Sequence, residues 1–144
     1  MKNTEANIFV FDKIQVFFKH TDFYGVTHPY NYFEWTSYVR EAFFSKMCGD
    51  FESVLNSPIK MMTAKINADL RGDSKFGDKL EAHFTAAKIK RVSFDVIVRF
   101  FNERANQIVC ETQHTLVFVD SRTDRFTDIP ESIKTAVLKY QEAA

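Results

Sequence analysis

The sequence has few cysteines, which excludes several classes of small protein. Only two of its 144 residues are cysteine. Cys48 and Cys110 do not have the spacing of a metal site and are too few for a disulfide framework. We expect each to be a small buried hydrophobic residue, and we expect neither a metal nor a cofactor. A reduced, cytoplasmic protein is the simplest interpretation.

An excess of charge of either sign is also missing. Lys and Arg together number 19, and so do Asp and Glu. This balance argues against nucleic acid or an anionic membrane surface as a partner bound through bulk charge. No apolar run approaches the ~20 residues that span a bilayer. The polar segment 1–5 lacks the apolar core of a signal peptide.

Repeats, low-complexity tracts and Gly/Ser linkers are absent as well, so nothing divides the chain. Its length predicts a single domain over residues 1–144. Phenylalanine, by contrast, is abundant, with 16 residues. Because aromatic side chains bury large areas, some of them can line an apolar cleft or an oligomer interface as well as a core.

One long amphipathic helix is predicted over residues 31–47. Pro29 precedes it, where a missing amide costs little, and Gly49 follows it as a stop signal. Apolar residues recur at gaps of three, four and seven, which places them on one helical face. This face consists of Tyr32, Trp35, Val39, Ala42, Phe43 and Met47.

Most of the remaining chain predicts β-strands, followed by a short C-terminal helix from Pro130 to Tyr140. One helix cannot cover a five-stranded antiparallel sheet by crossovers, so the predicted class is α+β. A sheet wrapped around a single long helix is the hotdog fold, whose open side a second copy commonly closes. We therefore expect a homodimer or homotetramer. The predicted strands are 8–19, 59–70, 80–89, 91–101 and 108–119, with turns at 20–25, 71–78 and 102–106.

A motif joins the first strand to the helix. Asp22 follows the strand, Gly25 comes three residues later, and Asn31 and Tyr32 open the helix. This pattern resembles the opening motif of the 4-hydroxybenzoyl-CoA thioesterase-like family of hotdog enzymes. The segment from Trp35 resembles most the polyketide-type branch, the acyl-carrier-protein thioesterases associated with enediyne or polyunsaturated fatty acid synthases. Further matches at 76–78, 93, 116–120 and 129–130 extend the resemblance over nearly the whole chain.

The resemblance implies hydrolysis of acyl thioesters carried by coenzyme A or by an acyl carrier protein. This reaction needs an activated water or a nucleophile, together with hydrogen-bond donors for the oxyanion. Asp22 is the candidate for the first role, as nucleophile or as general base. The unpaired amides at a helix N-terminus are candidates for the second. The structural alternative is that Asp22 only forms an Asx turn before Gly25.

Other residues of the motif have supporting roles in this interpretation. Gly25 would allow a positive φ or a close approach of the backbone to the thioester. The family's oxyanion amide falls on Pro29, which has no N–H. The amides of His28 and Tyr30 are its substitutes, and the His28 imidazole is a further candidate to polarise the carbonyl.

Substrate binding is predicted for two groups of residues. Arg40 matches an arginine of the polyketide-type branch, with a solvent-facing or interface position as the alternative. Lys88 and Lys90, if they lie in a strand, share a face and form a candidate phosphate site; a solvated strand end is the alternative. The complete set is Asn31, Tyr32, Trp35, Arg40, Lys88, Lys90, Arg91 and Ser93.

Two other functions on the same fold compete with hydrolysis. A 3-hydroxyacyl thioester dehydratase or hydratase uses a histidine with a carboxylate, and His28 is a candidate for the former. Its acid partner is hard to find, because Glu34 and Glu41 fall on the polar side of the helix. A non-catalytic acyl-thioester binding protein is the third possibility. Asp22 and the absence of a DNA-binding appendage argue against it.

Overall fold

The computed structural model describes residues 7–143, in which one antiparallel sheet curls around one long helix. The segment 1–5, whose polarity argued against a signal peptide, lies outside this range. Within residues 7–143 no helix combines the length and the hydrophobicity of a membrane span. The elements are β1 (Phe9–Gln15), a 3-10 turn (Phe18–His20), α1 (Tyr30–Met47), α2 (Phe51–Leu55), β2 (Ile59–Leu70), β3 (Lys79–Ala87), β4 (Ser93–Asn102), β5 (Gln107–Asp120), β6 (Arg125–Phe126) and α3 (Glu131–Lys139).

The hotdog architecture predicted from the sequence is confirmed. The sheet order is β1-β3-β4-β5-β2, with β6 on β5, and every pairing is antiparallel. The bounds of β2 match the prediction, whereas β1 is shorter than expected. It ends at Gln15 because Gln15 pairs with Lys79, the residue at which its partner strand β3 begins. The sequence patterns missed the short elements α2 and β6.

The core lies between the sheet and the aromatic face of α1. Phe43 is fully buried, and its ring stacks on Phe84 of β3 at 4.1 Å between centroids. The predicted face is confirmed for most of its residues, but Met47 lies at its exposed end. Phe44 and Thr36 are also buried, which widens the buried face beyond the predicted stripe. A single domain over the whole chain remains a prediction.

One edge of the sheet is uncovered. Among the described residues β2 pairs only with β5, and most of its 12 residues are exposed. The apolar side chains of Met62, Ile66 and Leu70 are each about half exposed. A long exposed edge strand with apolar side chains is a surface that natural proteins usually cover.

An ion pair between the buried Asp78 and the exposed Arg104 closes the turn that leads into β3. The Asp78 carboxylate accepts hydrogen bonds from Arg104 Nε at 2.7 Å and Nη2 at 3.0 Å. Asn102 Nδ2 and the Lys75 amide donate to the same carboxylate, each at 2.9 Å. Arg104 is the largest cause that lowers the pKa of Asp78 to about 2, and burial opposes it. The ionised carboxylate therefore stabilises this turn.

This pKa predicts a specific dependence of stability on pH. Because the folded-state pKa lies below the ordinary value, the stabilisation is complete above about pH 4 and is lost as the pH falls towards 2. Replacing Asp78 by Asn should lower the free energy of unfolding by up to about 2 kcal/mol at pH 7. Urea unfolding should show that this loss of stability is smaller at pH 3 than at pH 7. Asp73→Asn, which alters an exposed neighbour, should change the free energy of unfolding little at either pH. A difference of equal size at both pH values would contradict the ion pair's role.

Candidate active site

The motif residues lie in a small hairpin between the 3-10 turn and α1. Thr21 and Thr27 form a bridge, and the Asp22 amide donates to the Val26 carbonyl at 2.8 Å. Gly25 closes the turn with a φ of +79°. A Cβ added there would meet nothing within 4 Å. Within this chain, glycine is therefore needed for its backbone conformation rather than for lack of space.

The Asp22 side chain holds the turn through only one of its oxygens. Oδ1 accepts the Tyr24 amide at 2.9 Å and the Val26 amide at 3.3 Å, which is an Asx turn. Oδ2 has no hydrogen-bond partner within residues 7–143. The carboxylate is partly buried, and the neighbouring Phe23 and Tyr24 are almost fully exposed. The turn-forming role is thus present, and it leaves one carboxylate oxygen available.

Asn31 fastens this hairpin to the start of α1. Its Nδ2 donates to the His20 carbonyl at 2.8 Å and to the His28 carbonyl at 3.0 Å. The His28 amide also donates to the His20 carbonyl, at 2.8 Å, so it is already engaged. The Tyr30 amide has only a long 3.3 Å bond to His28 Nδ1. Of the two amides proposed to replace the one missing at Pro29, that of Tyr30 is the more available.

A second set of contacts ties α1 and the hairpin to the turn before β3. The Tyr32 hydroxyl lies 2.8 Å from Ser74 Oγ, which also contacts the Thr27 hydroxyl. Burial raises the pKa of Tyr32 to about 12, so this hydroxyl stays protonated. Tyr32 and Asn31 are both buried and hydrogen-bonded to the scaffold. A polar contact of the Tyr32 hydroxyl with substrate, as predicted, would compete with its bond to Ser74, whereas Asn31 bonds the scaffold through Nδ2 alone.

A polar cavity of about 130 Å³ opens beside the helix N-terminus. Its histidine is His20, which the sequence analysis missed, whereas His28 is exposed. His20 Nδ1 accepts the Phe17 amide, and its ring packs against Trp35 at 5.0 Å. Burial and then Lys19 lower the pKa of His20, while Glu34 opposes them. The cavity is lined by Lys19, His20, Tyr30, Asn31, Glu34, Trp35 and Tyr38.

Arg40 lies apart from this site. It is ten residues beyond Tyr30 along α1, a distance of about 15 Å. Its Nη1 contacts Thr63 Oγ1 of β2 and His114 Nδ1 of β5, each at 3.1 Å. Arg40 is partly buried against the sheet rather than free in solvent. Within this chain the structure does not bring Arg40 and Asp22 together.

The basic cluster of Lys88, Lys90 and Arg91 lies still farther from the hairpin, and the prediction that its two lysines share a strand face is wrong. β3 ends at Ala87, and Lys88 has a φ of +49° in the turn that follows. The Lys90 amide closes this turn by donating to the Ser93 carbonyl, and Arg91 pairs with Asp128. The nine residues of β3 separate this turn from the start of β3, which lies at the hairpin end of the sheet, by roughly 26 Å.

A model of the thioesterase-like superfamily matches residues 16–137. The chain belongs to this superfamily. None of the curated proteins matches it in sequence. The matched segment contains the hairpin, α1 and all strands except β1.

Solved structures share the fold of this thioesterase-like protein. The dynemicin thioesterase matches with a TM-score of 0.87 and 15% identity, over 96% of this chain and 100% of that one. A Staphylococcus aureus protein in complex with CoA matches with a TM-score of 0.84 and 15% identity, over 100% of this chain and 92% of that one. A 1,4-dihydroxy-2-naphthoyl-CoA thioesterase from Synechocystis matches with a TM-score of 0.80 and 17% identity, over 92% of this chain and 96% of that one. At these identities the likeness shows the fold alone.

The hairpin of the thioesterase-like chain and the residues that flank it carry three chemical groups, and the last two of them also line the cavity. These are a carboxylate with an available oxygen at Asp22, a weakly bonded helix amide at Tyr30 and a partly buried imidazole at His20. No group of three metal-ligating side chains occurs in the part of the chain that the structure describes. The arrangement supports acid–base or nucleophilic chemistry at a polarised carbonyl.

Proposed function

We propose that the chain hydrolyses acyl thioesters of coenzyme A or of an acyl carrier protein, with Asp22 as the catalytic carboxylate. The observation that carries this proposal is the asymmetry of the Asp22 side chain. The Tyr24 and Val26 amides fix Oδ1, so the carboxylate is oriented while Oδ2 remains available. A carboxylate held in this way can act without first losing side-chain freedom.

The reaction proceeds by attack on the thioester carbonyl carbon. In one route Asp22 removes a proton from a water that attacks. In the other, Asp22 attacks directly, and water then hydrolyses the resulting anhydride. The carbonyl oxygen gains negative charge in both routes, and the Tyr30 N–H at the helix start is the proposed donor to it. The thiolate leaves and is protonated, which gives a free acid and a thiol.

Replacing Asp22 by Asn tests this assignment. The amide keeps the size of the side chain and a hydrogen-bond acceptor for the turn, but it can neither take up the proton nor attack effectively. We expect kcat for thiol release to fall by about 10²-fold or more while the fold is retained. Asp12→Asn, an exposed carboxylate on β1, is the matched control. Near-normal thiol release by the Asp22 variant would rule out the proposed role.

A dehydratase or hydratase is the second candidate, and one observation favours it. His20 and Glu34 line the same cavity, so a histidine and a carboxylate do occur together near the helix start. Glu34 is the acceptor for the Tyr38 hydroxyl at 2.7 Å, and its role in that bond competes with acid catalysis. Hydrolysis remains the proposal because the family match and Asp22 both favour it.

The exposed edge of β2 supports a homodimer, or a tetramer built from it. Two β2 edges paired about a twofold axis would continue the sheet and cover Ile66 and its apolar neighbours. We expect the protein to sediment as a dimer or larger at micromolar concentration, and Ile66→Glu to shift it towards the monomer. The control is Ile8→Glu, which alters a similarly exposed isoleucine outside β2. A folded, active wild-type monomer at that concentration would exclude this assembly.

Such pairing would also give the basic cluster a role. A twofold axis at β2 reverses the partner's strands, so the partner's β3–β4 turn would lie at the same end of the joined sheet as Asp22. Lys88, Lys90 and Arg91 are therefore proposed to bind the phosphates of the substrate arm across the interface. They would stabilise the bound substrate and the transition state alike. Exposed charges are screened within about 10 Å at 0.1 M salt, so their contribution should fall as ionic strength rises.

The test is the triple alanine variant of Lys88, Lys90 and Arg91. We expect KM for a full coenzyme A thioester to rise with little change in kcat. A truncated thioester without the nucleotide should show no such rise, and Lys139→Ala should affect neither substrate. A penalty of equal size on both substrates would contradict phosphate binding.

A further inference from the structure

Arg40 is a partly buried cation on the side of α1 that faces β2 and β5. Its Nη1 bonds only to neutral partners, Thr63 Oγ1 and His114 Nδ1. None of the ion pairs formed by residues 7–143 includes it. Its Nε is buried without a hydrogen-bond partner. Because buried charges are usually paired, an anion that bound beside Arg40 would be stabilised by it.

His114, which contacts Arg40, also has a donor without a partner. Arginine only donates, so His114 Nδ1 must accept from it, and the ring proton must lie on Nε2. Nε2 is buried and has no hydrogen-bond partner, and the whole residue is only 2% exposed. Burial and then Arg40 lower the pKa of His114 to about 4, which keeps the ring neutral near pH 7. The neutral ring therefore accepts a hydrogen bond from Arg40 and adds no second positive charge beside it.

An apolar cleft opens next to this cation. It lies between α1, α2 and β2, with a volume of about 280 Å³. Its apolar walls are Phe44, Phe51, Leu55 and Met61, and Arg40 is its cation. Glu41 lines its rim, but it is exposed and forms no ion pair with Arg40. A positive group against apolar walls is complementary to an anion that carries an apolar chain.

We propose that this cleft binds a carboxylate attached to an apolar chain, with Arg40 holding the carboxylate and the apolar walls holding the chain. Two ligands share this chemistry. One is the free carboxylic acid that the proposed hydrolysis releases. The other is an acyl thioester whose far end carries a second carboxylate, because Arg40 lies about 15 Å along α1 from the Tyr30 amide.

Binding of dodecanoate to the full chain tests the proposal without any turnover. Calorimetry should show that dodecanoate binds and that dodecanol, which has the same chain but no charge, binds at least about tenfold more weakly. Arg40→Gln should weaken dodecanoate binding by at least about tenfold. Arg40→Lys should keep most of it, and the exposed control Arg125→Gln should keep all of it.

Thermal unfolding adds a readout that a merely structural arginine would not produce. Without ligand, Arg40→Gln should melt no lower than wild type, because it removes an uncompensated charge. Dodecanoate should raise the melting temperature of wild type and not that of the variant.

A second arm compares dodecanoyl-CoA with the mono-CoA thioester of dodecanedioic acid. If the protein prefers the diacid thioester and Arg40→Gln abolishes this preference, the ligand is a substrate. If there is no such preference and dodecanoate still binds, the ligand is the free acid.

Three outcomes would overturn the proposal. In the first, dodecanol binds as tightly as dodecanoate, and in the second, Arg40→Gln leaves dodecanoate binding unchanged. In the third, Arg40→Gln lowers the melting temperature and converts a dimer to monomer, which would show that the partner subunit supplies the anion. Failure of thioester hydrolysis would show separately, as absent thiol release with carboxylate binding intact.

Discussion

The burial of the aromatic face of α1 inside the curled sheet is the constraint on which the rest of the structure depends. Each fully buried phenylalanine contributes roughly 1.5–3 kcal/mol, and Phe43 and Phe44 anchor the second half of the helix. With that half fixed, the first half extends to the hairpin end of the sheet. Asn31 and Tyr32 then clamp the hairpin onto it. The positions of Asp22 and of Arg40 both follow from the packing of this one helix.

The fold was predictable because its signals are local. The helical spacing from Tyr32 to Met47 and the flanking Pro29 and Gly49 define α1 without any knowledge of its partners. The end of β1 was not predictable in the same way, because Val16 to Phe18 remain apolar while the partner strand begins only at Lys79. The same limit explains the shared strand face wrongly predicted for Lys88 and Lys90. A positive φ at Lys88 ends the strand, and lysine is not a residue that signals it.

The candidate site was predictable only where it coincides with the motif. Asp22, Gly25 and the helix start were found because they are adjacent in sequence. His20 precedes Asp22 by two residues, but its turn was interpreted only for its Asp and Gly. The contacts of Arg40 join residues that are 23 and 74 positions apart, and no sequence pattern pairs them. Turn chemistry and periodicity thus locate the loop, and tertiary packing decides which side chains meet there.

The central claim is that the chain cleaves the carbon–sulfur bond of an acyl thioester rather than adding or removing water along the acyl chain. One incubation separates the two. The protein is given a 2-enoyl-CoA and the corresponding 3-hydroxyacyl-CoA, while free thiol and the absorbance of the conjugated double bond are followed together. We expect free thiol to appear and neither substrate to be converted into the other. Interconversion of the two thioesters with no release of thiol would contradict it.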